Sequence, residues 1–380
     1  MKNIVFYDTS NFIDFPIGGQ LTSIGNFLRY VAEKHASECN NIFLVGVTTD
    51  KNQVGKIQKI SIAQKSFKFL PVLYRNLKLN DIKKSMRIEY LKGLFKYRKY
   101  IPSGKNVLHF LHTPEAFIEV KICHPFAKTA IFSHGSFFNM VRGFRFYKNN
   151  KFVEKGFNIF IKWMIKKANI IFTLDQDSIK QYKKYNRNLI SVNNSIILPE
   201  KVPEREYCHA PIRLLFVGRL SKVKHIDGII AAVSLMGEET ELTILGDGEE
   251  RDYLQNFIKK EKVLDQVHLV GAVLPCKVQE YMKNNDILVM NSILEGKPMT
   301  IIEAMSYGMP IITTNVGGIS ELLENNVEGI FTDGSTEGIV EAIKVIRNNY
   351  KQMCEQAVNR SLSYNYIKIN DQVWYELNKI

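Results

Sequence analysis

The stretch NSILEGKPMTIIEAMSYGMPIITTNVGG, residues 291–318, contains the strand-to-helix corner that indicates the fold class. The apolar run Ile287–Met290 just before it predicts a buried strand, and Gly296 and Pro298 prevent one uninterrupted helix. Residues 300–307 have the apolar spacing of a helix, and a second apolar run follows. A strand, a short loop, a helix and another buried strand together predict a parallel α/β sheet.

Two carboxylates, Glu295 and Glu303, flank this corner with seven residues between them. The pattern predicts that Glu295 lies in the loop beyond the carboxyl end of the strand. Glu303 is predicted in the early turns of the helix, whose free N–H groups can bind an anion. We therefore expect a phosphorylated ligand between the two carboxylates.

The same alternation of short apolar runs and helical stretches occurs twice along the chain, which predicts two Rossmann-like domains. At 380 residues the chain exceeds the usual size of a single core, and the polar passage 198–211 separates the two series of runs. We expect a first domain over 1–200, a second over 201–362, and a C-terminal helix within 363–380 that packs back on the first. Because ligands of parallel sheets bind beyond the carboxyl ends of the strands, the two domains are expected to face each other across a cleft. The predicted strands are 4–7, 42–47, 107–111, 129–132, 170–174 and 189–192 in the first domain, and 213–217, 241–245, 267–270, 287–290 and 311–314 in the second.

The net charge of +13 comes entirely from the first half of the chain. Residues 1–200 contain 32 Lys and Arg against 13 Asp and Glu, whereas residues 201–380 contain 19 against 25. Five scattered cysteines without C-x-x-C spacing argue against a disulfide framework or a zinc site. Asp8 follows the first apolar run too soon for a signal peptide, and no apolar run reaches the roughly eighteen residues of a membrane span. We expect a cytoplasmic protein in which any membrane contact is peripheral.

Three further motifs follow predicted strands. Arg219 and Lys224 come after the strand at 213–217, and a planar guanidinium with a mobile ammonium suits a diphosphate. The paired Gly18 and Gly19 precede a helix predicted over 21–34 and allow close backbone approach to a phosphate or sugar, although most such pairs are simple turns. His134 follows the strand at 129–132, where it can hydrogen-bond a sugar hydroxyl or be satisfied by local backbone.

Other patterns favour structural roles. His109 and His112 alternate in VLHFLHTPE, but they lack a third ligand nearby in sequence and do not indicate a metal site. Asp175-Gln176-Asp177 has the D-x-D spacing of some cation sites, but an N-cap role for one aspartate is more economical. Gly246-Asp247-Gly248 is too short for a dinucleotide fingerprint.

A series of motifs runs along the chain: the N-terminal glycine pair, FVGRLSKVKHIDGII (216–230), ILGDGEERDYL (244–254), VHLVGAVLPCKVQEYMKNNDILVMNS (267–292) and EGKPMTIIEAMSYGMPIITTNVGG (295–318). This series resembles the retaining GT-B glycosyltransferases of family 4, and the resemblance extends over nearly the whole chain. The second half is the more specific part, while the first half matches more loosely. Three positions depart from the family pattern: Ser195 and His225 replace usual glycines, and Lys297 replaces an aromatic or apolar residue.

The resemblance implies transfer of a hexosyl-type sugar from a nucleotide-diphosphate sugar to an acceptor hydroxyl, with the anomeric configuration retained and no metal or other cofactor. It implies that Glu303 binds the ribose hydroxyls, that Arg219 and Lys224 hold the diphosphate, and that Glu295 lies near the transferred sugar. His134 joins Glu295, Arg219 and Lys224 as a candidate catalytic residue. The remaining implied donor contacts are Gly18 and Gly19 from the first domain, Val273 at the base, and the backbone of Lys297, Pro298, Met299 and Thr300.

The basic first half also suggests partners. The segments 75–100 and 140–167 mix cations with aromatic residues, which favours contact with an anionic membrane or a lipid-linked acceptor over a nucleic acid. A glycan acceptor in cell-surface polysaccharide or glycolipid synthesis is the leading expectation. Two alternatives stay open: a nucleotide-sugar epimerase of the same architecture, which would isomerise its donor without an acceptor, and a non-catalytic polyanion-binding protein.

Overall fold

The computed structural model describes residues 3–15, 18–75, 85–138 and 151–380 and divides into two compact units. The first unit comprises Met1–Ser195 with Tyr366–Ile380, and the second comprises Ile196–Asn365. The chain thus leaves the first unit five residues before the predicted boundary at 200 and returns to it at Tyr366. Pro16 and Ile17 of the predicted glycine motif, and residues 76–84 and 140–150 of the two predicted membrane-facing segments, lie outside the described residues.

The first unit contains an eight-stranded sheet with the strand order β3-β4-β2-β1-β5-β6-β7-β8. All described strand pairs are parallel except β3 with β4. Buried apolar side chains cover both faces of the sheet, as expected for a mainly parallel arrangement. The strands are β1 Asn3–Tyr7, β2 Ile42–Thr48, β3 Gln58–Ile62, β4 Lys65–Tyr74, β5 Val107–Leu111, β6 Lys128–Ser133, β7 Ile170–Thr173 and β8 Leu189–Ser191. The described helices are α1 Gly19–Lys34, α2 Met86–Tyr97, α3 Pro114–Cys123, α4 Lys151–Lys167, α5 Gln176–Tyr182 and, at the C-terminus, α12 Tyr366–Lys379.

The set of strands predicted for this unit was incomplete, because β3 and β4 were missed. Pro71 lies inside β4, and a proline usually argues against a strand interior. The structure accommodates Pro71 at a register shift between β2 and β4, directly opposite Gly46. The hairpin of β3 and β4 therefore extends the sheet beyond β2, where no strand was predicted.

The C-terminal helix α12 packs on α1 within the first unit. The Tyr30 hydroxyl donates a 2.7 Å hydrogen bond to Asp371, and the rings of His35 and Trp374 stack with their centroids 4.9 Å apart. Val373 and Leu377 of α12 are buried in the core. These contacts attach residues 366–380 to the fold of the first 195 residues.

The second unit contains a six-stranded parallel sheet with the strand order β11-β10-β9-β12-β13-β14. From the central strand β9 the chain builds outwards through β10 and β11, and then returns to the other side of β9 with β12. The carboxyl edge of β9 and β12 is therefore the topological switch point, where open parallel sheets bind ligands. The strands are β9 Ile212–Val217, β10 Thr240–Leu245, β11 Val267–Gly271, β12 Ile287–Met290, β13 Ile311–Thr314 and β14 Gly329–Thr332, of which only β14 was not predicted. The helices are α6 Ile226–Met236, α7 Arg251–Lys260, α8 Pro275–Asn284, α9 Met299–Ser306, α10 Thr336–Asn348 and α11 Tyr350–Ser361.

Arg205 joins the start of the second unit to the ends of two of its helices. Its guanidinium donates to the backbone carbonyls of Met282, Asn285 and Tyr307, each at 2.7 Å. These carbonyls lie at or just beyond the C-termini of α8 and α9, where helix carbonyls lack partners of their own and the helix dipole favours a cation.

Asp175 is the N-cap of α5, as predicted. Its carboxylate accepts hydrogen bonds from the backbone N–H of Ser178 at 2.6 Å and from the Ser178 hydroxyl at 2.8 Å. The D-x-D pattern at 175–177 is thus explained by helix capping.

No helix in the described part of the chain is long and apolar enough to cross a membrane.

Glu119 on α3 is fully buried in the first unit, next to Cys123 of the same helix. Burial raises the pKa of Glu119 to about 7, and a hydrogen bond with the Cys123 thiol and the charge of Arg98 only partly oppose this effect. The folded state therefore favours the protonated carboxyl group. Ionisation of Glu119 must lower the stability of the folded protein.

We predict that Glu119→Gln stabilises the protein at pH 8 but not at pH 5. A raised carboxyl pKa in the folded state makes stability fall as the pH rises from about 4.5, the unfolded value, through about 7. This pKa difference corresponds to a loss on the order of 3 kcal/mol at pH 8, which the neutral glutamine removes. Calorimetric melting temperatures at both pH values measure the effect, with Glu154→Gln on the exposed face of α4 as the control. Equal destabilisation by Glu119→Gln at both pH values would contradict the prediction.

Candidate functional site

The predicted site residues of the second unit, apart from Val273, lie at the carboxyl edge of β9 and β12. Arg219 and Lys224 lie in the loop between β9 and α6, and Glu295 lies in the loop between β12 and α9. Glu303 is the fifth residue of α9. Since β9 and β12 are neighbours in the sheet, residues about seventy positions apart in sequence come to one edge.

Lys224 and Glu295 form an ion pair and are the most closely joined of the predicted residues. The side chains are 17% and 9% exposed, so the pair is shielded from solvent on most sides. The Ser292 hydroxyl donates a second hydrogen bond, of 2.7 Å, to the same Glu295 oxygen. The carboxylate is thereby held in one orientation, with the lysine charge beside it.

The loop that carries Glu295 rests on the glycine pair after β13. Gly317 has φ +60°, and a Cβ on this residue would lie 2.0 Å from the carbonyl oxygen of Glu295. The next residue, Gly318, donates its N–H to the carbonyl of Gly296 at 2.9 Å. Only glycine permits this approach in this backbone conformation. Gly317 and Gly318 therefore position the loop that carries Glu295.

The side chain of Lys297 forms an ion pair with Glu321. Its ammonium lies 2.7 Å from Glu321, and the lysine side chain is only 5% exposed. Glu321 belongs to the short 3₁₀ helix Ile319–Glu321, directly after the glycine pair. The ion pair therefore joins the two loops, and a role for Lys297 in donor binding is left to its backbone.

Glu303 is half-buried, and its carboxylate accepts no hydrogen bond from any described residue. Burial raises its pKa to about 7. Pro298 precedes the first helical residue, Met299, and no side chain caps the first turn of α9. The same short helix thus carries two groups without partners among the residues that the structure describes. The Glu303 carboxylate suits a diol, and the uncapped backbone N–H groups of the first turn suit an anion.

Arg219 is the more exposed of the two predicted cations. Its guanidinium donates to one oxygen of Glu249 at 2.9 and 3.1 Å, and the two side chains are 73% and 53% exposed. An exposed pair of this kind contributes little to stability, so the guanidinium can exchange partners at small cost.

The Gly-Asp-Gly motif at 246–248 packs the neighbouring loop against this one. A Cβ on Gly246 would lie 1.8 Å from the Gly218 carbonyl oxygen, and one on Gly248 would lie 2.2 Å from that of Leu220. The motif is therefore required for close loop packing, in agreement with its rejection as a dinucleotide fingerprint.

His225 occupies a left-handed backbone conformation, with φ +46° and ψ +48°, between Lys224 and the first residue of α6. Glycine adopts this conformation without strain, which accounts for the glycine usual at this position in the resembling family.

The other predicted residues lie elsewhere. Val273 follows the edge strand β11, two strands away from β9, and packs partly buried against the core. Gly18 and Gly19 lie at the start of α1 in the first unit, where nothing crowds a Cβ on Gly18.

His134 lies directly beyond β6 in the first unit. Its Nε2 is 2.8 Å from Nδ1 of His112, which lies just beyond β5 rather than on the strand with His109. His109 is buried on β5 and meets the Tyr7 hydroxyl at 2.8 Å. The sequence pattern grouped His109 with His112, whereas the structure pairs His112 with His134.

Sequence reasoning missed several residues that position the site. Ser292 acts on Glu295 from within the same loop, whereas Gly317, Glu249 and Glu321 each act on a predicted residue from a neighbouring loop. The sequence contained only weak indications of two of them. Gly317 belongs to the glycine pair that ends the stretch 291–318, and Glu249 directly follows Gly-Asp-Gly. Nothing local in the sequence indicates that Glu321 meets Lys297.

The chain is similar in sequence and in fold to known proteins. Residues 205–362 match the family model described as "Glycosyl transferases group 1". The amylovoran biosynthesis glycosyltransferase AmsK of Erwinia amylovora is 32% identical over 168 residues, which cover 41% of this chain but only 40% of AmsK. The O-antigen biosynthesis glycosyltransferase WbnH of Escherichia coli is 26% identical over 368 residues, 95% of each chain.

The crystal structure of Anabaena Alr3699/HepE in complex with UDP-glucose superposes on this chain with a TM-score of 0.69 and 16% sequence identity, covering 100% of both chains. The predicted GT-B fold of two Rossmann-like domains and the predicted resemblance to group 1 are confirmed. Assignment to family 4 stays a prediction.

We predict that Gly317→Ala destabilises the second unit by about 2 kcal/mol or more, because the new methyl group overlaps the Glu295 carbonyl in a left-handed conformation. Gly296→Ala is the matched control in the facing loop, since a Cβ there meets nothing within 4 Å. Calorimetric unfolding compares the two variants. If both melt at the wild-type temperature, the glycine pair does not support the Glu295 loop.

Proposed function

Because residues 205–362 belong to the group 1 glycosyltransferases and the chain has a GT-B fold, we propose that it is a retaining glycosyltransferase. It moves a hexosyl-type sugar from a nucleotide-diphosphate sugar to an acceptor hydroxyl. The observation that carries this proposal is the arrangement at the switch point. There a buried ion pair of Lys224 and Glu295 stands beside α9, which supplies the unpartnered carboxylate of Glu303 and uncapped N–H groups.

Each group has a distinct task in this reaction. The ionised Glu303 accepts hydrogen bonds from the ribose hydroxyls of the donor. Arg219 leaves the exposed Glu249 for the diphosphate, and Lys224 adds a second positive charge as the departing diphosphate gains negative charge. Two cations and the first turn of α9 supply this stabilisation from the protein itself, which supports a reaction that needs no metal.

Retention is proposed to proceed by departure and attack on the same face of the sugar, with the leaving phosphate accepting the acceptor proton. Double displacement would require a carboxylate free to attack the anomeric carbon. One oxygen of Glu295 is occupied by both Lys224 and Ser292, which disfavours that role. Glu295 instead orients Lys224 near the transferred sugar.

A role in the assembly of a cell-surface polysaccharide or glycolipid, with a glycan or lipid-linked acceptor, is supported by the names of WbnH and AmsK. The donor base is best sought first among uridine diphosphate sugars, since HepE binds UDP-glucose. A thermal-shift panel of uridine, guanosine and adenosine diphosphate sugars identifies the donor, because a ligand stabilises the folded state that binds it.

We predict that the donor binds about tenfold more weakly at pH 6 than at pH 8. With a pKa of about 7, Glu303 is mostly ionised at the higher pH and mostly protonated at the lower. Glu303→Gln abolishes this pH dependence and lowers affinity at pH 8, whereas Glu341→Gln on the exposed face of α10 changes neither. Calorimetric titration with the selected donor measures both effects.

The same proteins test the function itself. Transfer assays that yield a new glycoside support the proposal, an isomerised donor would identify an epimerase, and polyanion binding without turnover would identify a non-catalytic protein. Loss of transfer in folded Glu303→Ala is expected.

We also propose that the protein is cytoplasmic and makes peripheral contact with the inner face of an anionic membrane through α3 and α4. Phe126, Ile159 and Trp163 are 99%, 60% and 40% exposed, respectively. The Trp163 ring packs on Phe117 of α3 with the centroids 5.0 Å apart, which brings the two helices together. The same two helices carry lysines at positions 121, 155, 162, 166 and 167. Exposed apolar side chains among cations favour insertion at a lipid interface.

We predict that the protein floats with vesicles of phosphatidylcholine and phosphatidylglycerol but not with phosphatidylcholine alone, and that added salt weakens the association. The double variant Phe126→Ser/Ile159→Ser loses the association, because it removes the apolar part of the surface. Leu235→Ser removes an equally exposed apolar side chain, 60% exposed, from the second unit and serves as the control. Flotation of the double variant at the wild-type level would contradict the assignment of this surface.

A further inference from the structure

We propose that His112 is a positioning residue that fixes His134 in one neutral tautomer, with the proton on Nδ1, so that His134 serves as a hydrogen-bond donor to a sugar oxygen rather than as a base. This inference rests on the proposed glycosyl transfer for its consequence. The pairing and the tautomer are properties of the first unit alone.

The two rings are held by their surroundings. His112 is 6% exposed and lies between the rings of Phe6 and Phe132, with centroid distances of 4.4 and 5.1 Å and nearly parallel planes. The turn that carries His134 is closed by the Ser133 hydroxyl, which donates to the Gly135 carbonyl at 2.7 Å. His112 therefore has little freedom to rotate, and the 2.8 Å contact with His134 is built into the fold.

Both rings are uncharged at neutral pH. Burial lowers the pKa of His134 to about 3, and burial together with the neighbouring His134 lowers the pKa of His112 far below its usual range. The cavity beside His112 is lined by aromatic rings, by the aliphatic Ile369 and Val373, and by the uncharged Ser23, Asn193, Ser195 and Asn370. Two neutral imidazoles at this distance share one proton, so one ring donates and the other accepts.

The direction of that hydrogen bond follows from the other nitrogen of His112. Its Nε2 is buried and has no partner among the described residues. If His134 donated, His112 would carry its proton on Nε2 and bury an unpaired N–H, which folded proteins rarely tolerate. If His112 donates from Nδ1, its Nε2 is only an unused acceptor, which costs less. His134 then accepts at Nε2 and keeps its own proton on Nδ1.

His134 is half-buried, and its Nδ1 has no partner in the described part of the chain. A neutral Nδ1–H in this position can donate to a hydroxyl oxygen of a bound sugar. It cannot remove a proton from the acceptor, because that nitrogen already carries one. Because of this pairing, His134 does not act as the general base. This agrees with the proposal that the leaving phosphate accepts the proton of the acceptor hydroxyl.

Long-range proton–nitrogen NMR on the full chain with isotope-labelled histidine reads the tautomers directly. We expect protons on Nδ1 of both His112 and His134, and neither ring charged between pH 6 and pH 8. A proton on Nε2 of His134, or a charged ring in this range, would overturn the proposal. This measurement does not depend on catalytic activity.

Steady-state kinetics of transfer test the consequence. We expect His112→Leu to lower kcat by about tenfold to a hundredfold, less than the roughly hundredfold to thousandfold loss when an oriented donor is itself removed, with a smaller change in KM. His112→Asn keeps a side-chain N–H near the position of Nδ1 and is expected to restore most of the rate. His109→Leu is the matched control, since it removes another buried histidine with a 2.8 Å partner from the preceding strand. It is expected to reduce stability and leave kcat unchanged.

The double variant His112→Leu/His134→Ala separates positioning from general structural damage. If His112 acts through His134, the double variant is no slower than His134→Ala alone. Additive losses, or equal losses in the His112→Asn and His112→Leu variants, would overturn the positioning role. A wild-type protein that transfers no sugar from any donor would instead refute the proposed function while leaving the NMR result standing.

Discussion

The candidate donor site depends on one close backbone contact, between the glycine turn after β13 and the loop after β12. Gly317 lies beneath the carbonyl of Glu295 at a distance that no side chain permits, and the N–H of Gly318 donates to Gly296. The Glu295 loop is thereby fixed at its backbone, and the ion pair between Lys297 and Glu321 fixes it again through side chains. With the loop held at two points, the Glu295 carboxylate can remain beside Lys224.

Charges at this edge of the second sheet differ in how tightly they are held. Lys224 and Glu295 are largely shielded and joined to each other, so separating them without replacement would leave a buried charge unpaired. Arg219 and Glu249 are exposed and exchange partners at little cost. Glu303 is half-buried without a partner, and its raised pKa records that lack of compensation. A diphosphate and a diol would supply what these groups are missing, which is the physical basis of the proposed donor site.

The first unit uses histidines and aromatic rings at the equivalent edge of its sheet. The stacked rings of Phe6, His112 and Phe132 hold a neutral imidazole in place, and this imidazole meets His134. Burial favours the neutral form of both histidines, so this pair offers a directed hydrogen bond rather than a positive charge. The lysine surplus of this unit includes lysines of α3 and α4, and α4 also carries the exposed Ile159 and Trp163.

The sequence determined the secondary-structure pattern, the parallel α/β class and the candidate residues Glu295, Glu303, Arg219 and Lys224, because burial periodicity and glycine or proline interruptions are local properties of the chain. It failed where a local rule was overridden, as at Pro71, whose strand is tolerated through a shift in register against β2. Only the tertiary structure decided which side chains meet: Lys224 with Glu295, Lys297 with Glu321, and His134 with His112. These pairings depend on strand order and on loop packing at the carboxyl edges of the sheets. Both arise from contacts between residues remote in sequence, on which local patterns carry no information.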